Sequence, residues 1–261
     1  MRKSKILSKL RKGEVARIAC LYYPVTMFPE HAANAGYDGV WLDSEHNTWD
    51  PREVERMIYL HHLANIDCIV RTQFRESATG YQLLERGATG LMFPLVNTGA
   101  EAREIAGRTK FPPQGERGLD GAGLDNRFYL NSPSEYVKEA NEETVTVIQI
   151  ESPEALENIE EIAAAPGVDV LFIGWGDLAL RLGCEINFKE PKMAEAQKKV
   201  AAAAQKNEVN WGRPTGTPED MTAMIEAGGR FIAMGSDFGA VYQSLPKWGE
   251  IFDQVTGTKN P

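Results

Sequence analysis

Cysteine is scarce in this chain: Cys20, Cys68 and Cys184 are the only three among 261 residues, far apart and without C-x-x-C spacing. That excludes a disulfide framework or a zinc cluster as the organising device, and a thiol inside an apolar run behaves as a small hydrophobe. Long hydrophobic runs are missing too. No stretch approaches the roughly 18 apolar residues of a membrane span. The N-terminus, MRKSKILSKLRKGEVARIAC, is charged throughout and lacks the apolar centre of a secretory signal. The expected setting is a reducing, cytoplasmic compartment with no membrane partner. Positive charge is also short: 28 Lys and Arg against 37 Asp and Glu leave a formal net charge of −9. Sequence-independent nucleic-acid binding needs the opposite balance, although a local basic site for an anionic substrate stays open. Neither G-x-G-x-x-G nor G-x-x-x-x-G-K-[ST] occurs, which sets nicotinamide and nucleotide chemistry aside.

What the chain does have is alternation. Short runs rich in Val, Ile and Leu fall at Ala16–Leu21, Gly39–Asp43, Cys68–Thr72, Gly90–Leu95, Val145–Ile150, Asp169–Ile173, Val209–Gly212 and Arg230–Met234. They read as strands buried on both faces. Between and after them lie helix candidates at Pro51–Ala64, Ala78–Arg86, Gly99–Gly107, Ser134–Asn141, Pro153–Ala165, Lys192–Asn207, Pro218–Ala227 and Phe238–Val255. Asp50-Pro51, Ser152-Pro153 and Thr217-Pro218 each place a capping side chain before a first-turn proline. Eight strands with eight helices predict an α/β fold. The count and the length favour a single-domain (β/α)8 TIM barrel over an open doubly wound sheet. With no linker or low-complexity tract, residues 1–261 are expected to form one domain. Residues 1–14 would add an N-terminal helix over the barrel's N-terminal face, and residues 110–132 a Gly-, Pro- and Asp-rich excursion.

In such a barrel the active site lies at the C-terminal ends of the strands. Polar residues collect there: Asp43, Glu45 and His46 after the second strand, Arg71 after the third, Gln149 and Glu151 after the fifth. Trp175, Gly176 and Asp177 follow the sixth, and Arg213 and Thr215 the seventh. Glu151 and Asp177 close neighbouring strands. Two hard oxygen donors with open positions suit Mg²⁺ or Mn²⁺, while the plainer reading is that each caps the next helix. His46 with Asp43 could form a general base, or be a satisfied polar loop. Arg71 could stabilise charge on a carbonyl oxygen, or bridge to Asp43 or Glu45 as a structural ion pair. Arg117 and Arg127 in the excursion could bind a carboxylate or hold the loop. Trp41 and Phe93 read as core.

Taken together, GYDGVWLDSEH, IVR, GATGLMFPLVNTGAEAREI, FPPQGERG, VIQIESPEALENIEEI, GVDVLFIGWGDLA and AGGRFIAMGSD resemble the class II pyruvate aldolases of the HpcH/HpaI family, in order and spacing from about Gly36 to Asp237. The resemblance implies a (β/α)8 barrel with a swapped last helix, assembled as a homo-hexamer (a trimer of dimers). It implies a divalent metal, Mg²⁺, Mn²⁺ or Co²⁺, on Glu151 and Asp177. It also implies an enolate-stabilising Arg71, a base relay of His46 with Asp43, and Gln149 positioning the oxo acid. The amides of Gly176 and Asp177 would receive the pyruvate carboxylate. The implied activity is cleavage or formation of 4-hydroxy-2-oxo acids, giving pyruvate and an aldehyde. Trp175 and Gly176 stand where the family usually has Pro and a small residue, and Gly212-Arg213-Pro214-Thr215 where it often has apolar ones. Trp175 and Arg213 are therefore expected to reshape the substrate pocket. Decarboxylation of oxaloacetate, or coupling of the enolate to another electrophile, is the neighbouring enzymatic reading, and a non-catalytic barrel the remaining one. No strand candidate ends in a Lys, so Schiff-base chemistry is not called for.

Overall fold

The computed structural model describes residues 1–72, 77–187 and 189–257. Eight parallel strands close on themselves in sequence order. They are β1 (Ala16–Leu21), β2 (Gly39–Asp43), β3 (Asp67–Arg71), β4 (Gly90–Phe93), β5 (Val145–Ile150), β6 (Val170–Ile173), β7 (Asn210–Pro214) and β8 (Phe231–Ser236). Closure is made by β8 against β1, in register from Ala16 opposite Phe231. The helices are α1 (Lys5–Leu10), α2 (Phe28–Asn34), α3 (Pro51–Leu63), α4 (Ser77–Glu85), α5 (Gly99–Thr109), α6 (Pro133–Glu143), α7 (Pro153–Glu157), α8 (Ile159–Ala163), α9 (Trp175–Leu182), α10 (Pro191–Lys206), α11 (Pro218–Glu226) and α12 (Asp237–Thr256).

Side-chain direction alternates along a strand, so each strand feeds two cores. Ile18, Trp41, Ile69, Val147, Phe172 and Phe231 fill the barrel. Leu21, Leu42, Val70, Ile148, Leu171, Trp211 and Ile232 pack outward against the helices. Trp41, Phe172 and Phe231 meet edge to face, with ring centroids 5.5 and 5.7 Å apart.

The N-terminal mouth is closed by α1, whose Ile6, Leu7 and Leu10 join the barrel interior. The fit needs Gly39, since a Cβ there would sit 2.5 Å from Ile6 Cδ1. The prolines behave as their caps predict. Asp50 with Glu53 forms a capping box at α3, and Ser152 and Thr217 accept from the amides of Ala155 and Asp220. Pro153–Ala165, expected as one helix, is instead two, broken at Asn158. The Asn158 side chain donates to the Asn97 carbonyl at 2.9 Å, a tertiary bond that competes with helix continuation. Two short helices, α2 and α9, were not expected from the periodicity. In the excursion, Arg117 is buried and donates to Asp125 Oδ2 at 2.8 Å and the Tyr136 hydroxyl at 2.9 Å. It stacks over Phe111, 4.5 Å from the ring centroid, and so holds the loop to α6. Arg127 is exposed at the loop tip.

Candidate active site

The same alternation that fills the barrel aims its last inward positions at the C-terminal mouth. Beyond Trp41 comes Asp43, beyond Ile69 comes Arg71, and beyond Val147 come Gln149 and then Glu151. Asp43 and Arg71 are register partners on adjacent strands. Arg71 donates from Nε to Asp43 Oδ1 at 2.9 Å and from Nη2 to Oδ2 at 2.6 Å. Its Nη1 lies 3.0 Å from Glu45 Oε2, and its guanidinium sits 4.6 Å above the Trp41 ring. A planar fork held by two carboxylates and an aromatic face has one orientation.

With both Asp43 oxygens committed to Arg71, the expected side-chain pairing of Asp43 with His46 does not form. The His46 amide points to Asp43 Oδ1 at 3.4 Å. The imidazole instead lies beside Glu45, with Nε2 3.7 Å from Oε2, and is largely exposed at the mouth. Glu45 therefore links Arg71 to His46, a role the sequence pattern D-S-E-H contains but does not single out.

Glu151 is 2% exposed. Its Oε1 accepts the Leu95 amide at 2.6 Å, and Leu95 adopts a left-handed φ of 58° in doing so. Burial pushes the Glu151 carboxyl above its usual range; the Leu95 amide opposes this, Glu45 and Asp177 add to it, and Arg71 opposes it. Asp177 lies in the first turn of α9 and is half-exposed. Gly174 is required between the two carboxylates: a Cβ there would collide with Glu151 Oε2 and approach Gln149 Nε2 to 2.9 Å. The first-turn amides at Trp175, Gly176 and Asp177 open a helix N-terminus, where unpaired donors favour an anion. Gly176 borders open space.

One atom beside this group, Gln149 Oε1, is buried without a hydrogen-bond partner. Among the described residues, four carboxylates (Asp43, Glu45, Glu151 and Asp177) stand against two guanidinium groups, Arg71 and Arg181. The donor set, two hard oxygens with negative charge in excess, fits a divalent cation that keeps positions open for water and substrate. Among the described residues no three His, Cys, Asp or Glu side chains form a fuller ligand set.

Arg213 is brought elsewhere. Its neighbours Trp211 and Gly212 point outward and inward respectively, so Arg213 faces the helices. It pairs with both oxygens of Asp220 on α11, at 2.9 and 2.6 Å, and with Gln197 on α10, at 2.7 Å. Its guanidinium lies 5.6 Å from the Trp175 ring. Trp175 is half-buried at the start of α9, so this contact links Arg213 to the mouth. Sequence reasoning passed over the Leu95 amide, which only an irregular backbone delivers. It also passed over Arg181, visible only once α9 is known to place it one turn beyond Asp177.

With this geometry in hand, comparison with known proteins is informative. The HpcH/HpaI aldolase/citrate lyase family matches residues 26–244. A 4-hydroxy-2-oxovalerate aldolase of Novosphingobium aromaticivorans is 35% identical over 233 residues, covering 87% of this chain and 86% of that protein. A hydroxypyruvate/pyruvate aldolase of Paraburkholderia phytofirmans is 34% identical over 215 residues, covering 80% and 82%. The crystal structure of an HpcH/HpaI aldolase from Desulfitobacterium hafniense superposes with a TM-score of 0.90 at 29% identity, covering 95% of this chain and 96% of that one.

Proposed function

Because the chain belongs to the HpcH/HpaI aldolase/citrate lyase family, we propose that it is a divalent-metal-dependent carbon–carbon lyase acting on 4-hydroxy-2-oxo acids. Its products would be pyruvate and an aldehyde. The observation that carries this reading is the juxtaposition of Glu151 and Asp177 at one mouth, beside the fixed guanidinium of Arg71.

Glu151 and Asp177 would hold the cation, Mg²⁺, Mn²⁺ or Co²⁺. When bound, it supplies Lewis acidity toward the carboxylate and 2-carbonyl of the oxo acid. The first-turn amides of α9, Gly176 and Asp177, receive the carboxylate. Gln149 positions the oxo acid, and Trp175 bounds the pocket. In the cleavage direction His46 Nε2 accepts the proton of the 4-hydroxyl, directly or through water, with Glu45 steadying the imidazolium. The C3–C4 bond breaks, its electron pair moves toward the 2-oxygen, and C4 leaves as the aldehyde carbonyl. Arg71, fixed by Asp43 and Glu45, stabilises the resulting enolate oxygen. Protonation at C3 then gives pyruvate. Asp43 acts through Arg71 in this scheme, and Arg213 through Trp175.

The assembly belongs to the proposal. Along α12, Phe238, Val241, Tyr242, Leu245, Trp248, Ile251, Phe252 and Val255 are all exposed, and only Asp237 of that helix is buried. Apolar positions recurring every three or four residues make a face that water does not favour. A neighbouring copy, in a homo-hexamer, would cover it. A cytoplasmic setting agrees with three unbridged thiols. Among the described residues no helix is long and apolar enough to cross a membrane.

The test is pyruvate release from a panel of 4-hydroxy-2-oxo acids with and without a chelator. Release that the chelator abolishes and Mn²⁺ or Mg²⁺ restores supports the reading. Release that ignores the chelator, or no release across the panel, contradicts it.

A further inference from the structure

The two carboxylates of the mouth are held unequally. Glu151 is buried and bonded to the Leu95 amide. The Asp177 side chain is 45% exposed, and its ion-pair partner is Arg181 on the next turn of α9, with Nη2 3.9 Å from Oδ1. The same guanidinium donates from Nη1 to the main-chain carbonyl of Glu151 at 3.1 Å. One side chain therefore touches both residues, one at the end of a strand and the other on a helix. Arg71, the second guanidinium among the described residues of the mouth, is committed to Asp43 and Glu45. Arg71 also acts on the Glu151 carboxyl, but Arg181 is the positive charge paired with Asp177 and bonded to the main chain of Glu151.

We propose that Arg181 is a positioning residue that sets the charge balance of this pair, holding down its affinity for a bare divalent cation and raising that for the anionic oxo acid. The proposal rests on the metal reading above. Its physical basis is that a guanidinium stays protonated at every working pH, so its charge is a fixed feature of the site. A fixed positive charge repels a cation arriving at the adjacent oxygens and attracts a carboxylate arriving beside them. Because Arg181 is 38% exposed, solvent and salt weaken both effects, to roughly three- to tenfold in affinity. The bond to the Glu151 carbonyl keeps the guanidinium from swinging into solvent, which makes the charge effective at this place.

The experiment uses isothermal titration of Mn²⁺ into the metal-free full-length protein, then of pyruvate into the Mn²⁺-loaded protein, for wild type, Arg181→Gln and Arg181→Lys. Arg181→Gln is expected to bind Mn²⁺ roughly three- to tenfold more tightly and pyruvate more weakly by a similar factor, with both differences shrinking at high salt. Arg181→Lys, which keeps the charge, is expected to stay within about twofold of wild type for both ligands. Unchanged or weaker Mn²⁺ binding by Arg181→Gln overturns the proposal. So does an Arg181→Lys that departs from wild type as far as Arg181→Gln, because a side chain that keeps the charge would then behave like one that lacks it. If wild type itself takes up no Mn²⁺, the metal reading fails and this inference goes with it.

Discussion

The two ends of one barrel treat buried polar groups in opposite ways. At the N-terminal end, Asp67 is fully buried yet closed off: Oδ2 accepts from Ser4 Oγ at 2.6 Å and the Ile6 amide at 2.9 Å, and Oδ1 from Arg2 at 2.8 Å. Glu143 likewise accepts the Ser4 amide at 2.7 Å. At the C-terminal end, Gln149 Oε1 and Thr215 Oγ1 are buried with no hydrogen-bond partner. A satisfied buried network fixes a structure, whereas an unsatisfied one costs stability and invites a ligand. By this contrast α1 acts as a stopper, whereas the far mouth keeps buried polar atoms available to a ligand.

Substitutions at the two ends should therefore separate stability from chemistry. The largest effect is expected from Glu151→Gln, which should lower turnover of 4-hydroxy-2-oxo acids by about three orders of magnitude or more. Its melting temperature should hold or rise, because burial already disfavours the charged carboxylate. A steady-state assay beside a thermal melt measures both. At the opposite end, Asp67→Ala strands Arg2 and two donors, and should cost about 3–5 kcal/mol of stability in a denaturant titration. The kcat of the fraction that remains folded should be unchanged. If Asp67→Ala instead altered kcat and Glu151→Gln altered only the melt, the contrast between the two ends would be reversed.

A pH titration of stability sharpens the comparison from the helical layer. His61 on α3 is fully buried, with Nδ1 2.6 Å from the Met57 carbonyl. Burial lowers its pKa to about 4, with Arg2 adding to that effect and the Met57 carbonyl opposing it. The unfolded chain, titrating near the ordinary value of about 6.5, binds the proton first. Stability from this residue is therefore complete above pH 6.5 and falls as the pH drops to about 4, by up to ~3 kcal/mol. Equilibrium unfolding at several pH values should show that slope in wild type and a shallower one in His61→Leu. The smallest effect is expected from Gly39→Ala, whose methyl meets Ile6 Cδ1 and should loosen the stopper by about 1–3 kcal/mol, again with kcat intact.

Much of this fold could be read from the chain. The runs at Ala16–Leu21, Gly39–Asp43 and Val145–Ile150 coincide with observed strands, because apolar β-branched runs bounded by turns have few other uses in an α/β chain. The break at Asn158 could not be read, since it depends on a bond to Asn97 far away in sequence. At the mouth, strand ends alone placed Arg71, Gln149 and Glu151. Arg213, expected at the pocket, is turned instead to the helices, one step along β7 from Gly212. The pairing of Asp43 with Arg71 rather than with His46 was open among the alternatives, and inter-strand register decides it. The left-handed Leu95 and the α9 turn around Gly174 carry no periodic signal, so the details of the Glu151 environment appear only in three dimensions.

In the proposed function Glu151 and Asp177 share one divalent cation. Anomalous diffraction from crystals soaked in Mn²⁺ with pyruvate addresses it most directly. The expected result is a single strong peak bridging the two carboxylates, absent in Glu151→Gln. A peak elsewhere, or carboxylates turned apart with no peak between them, would contradict the account.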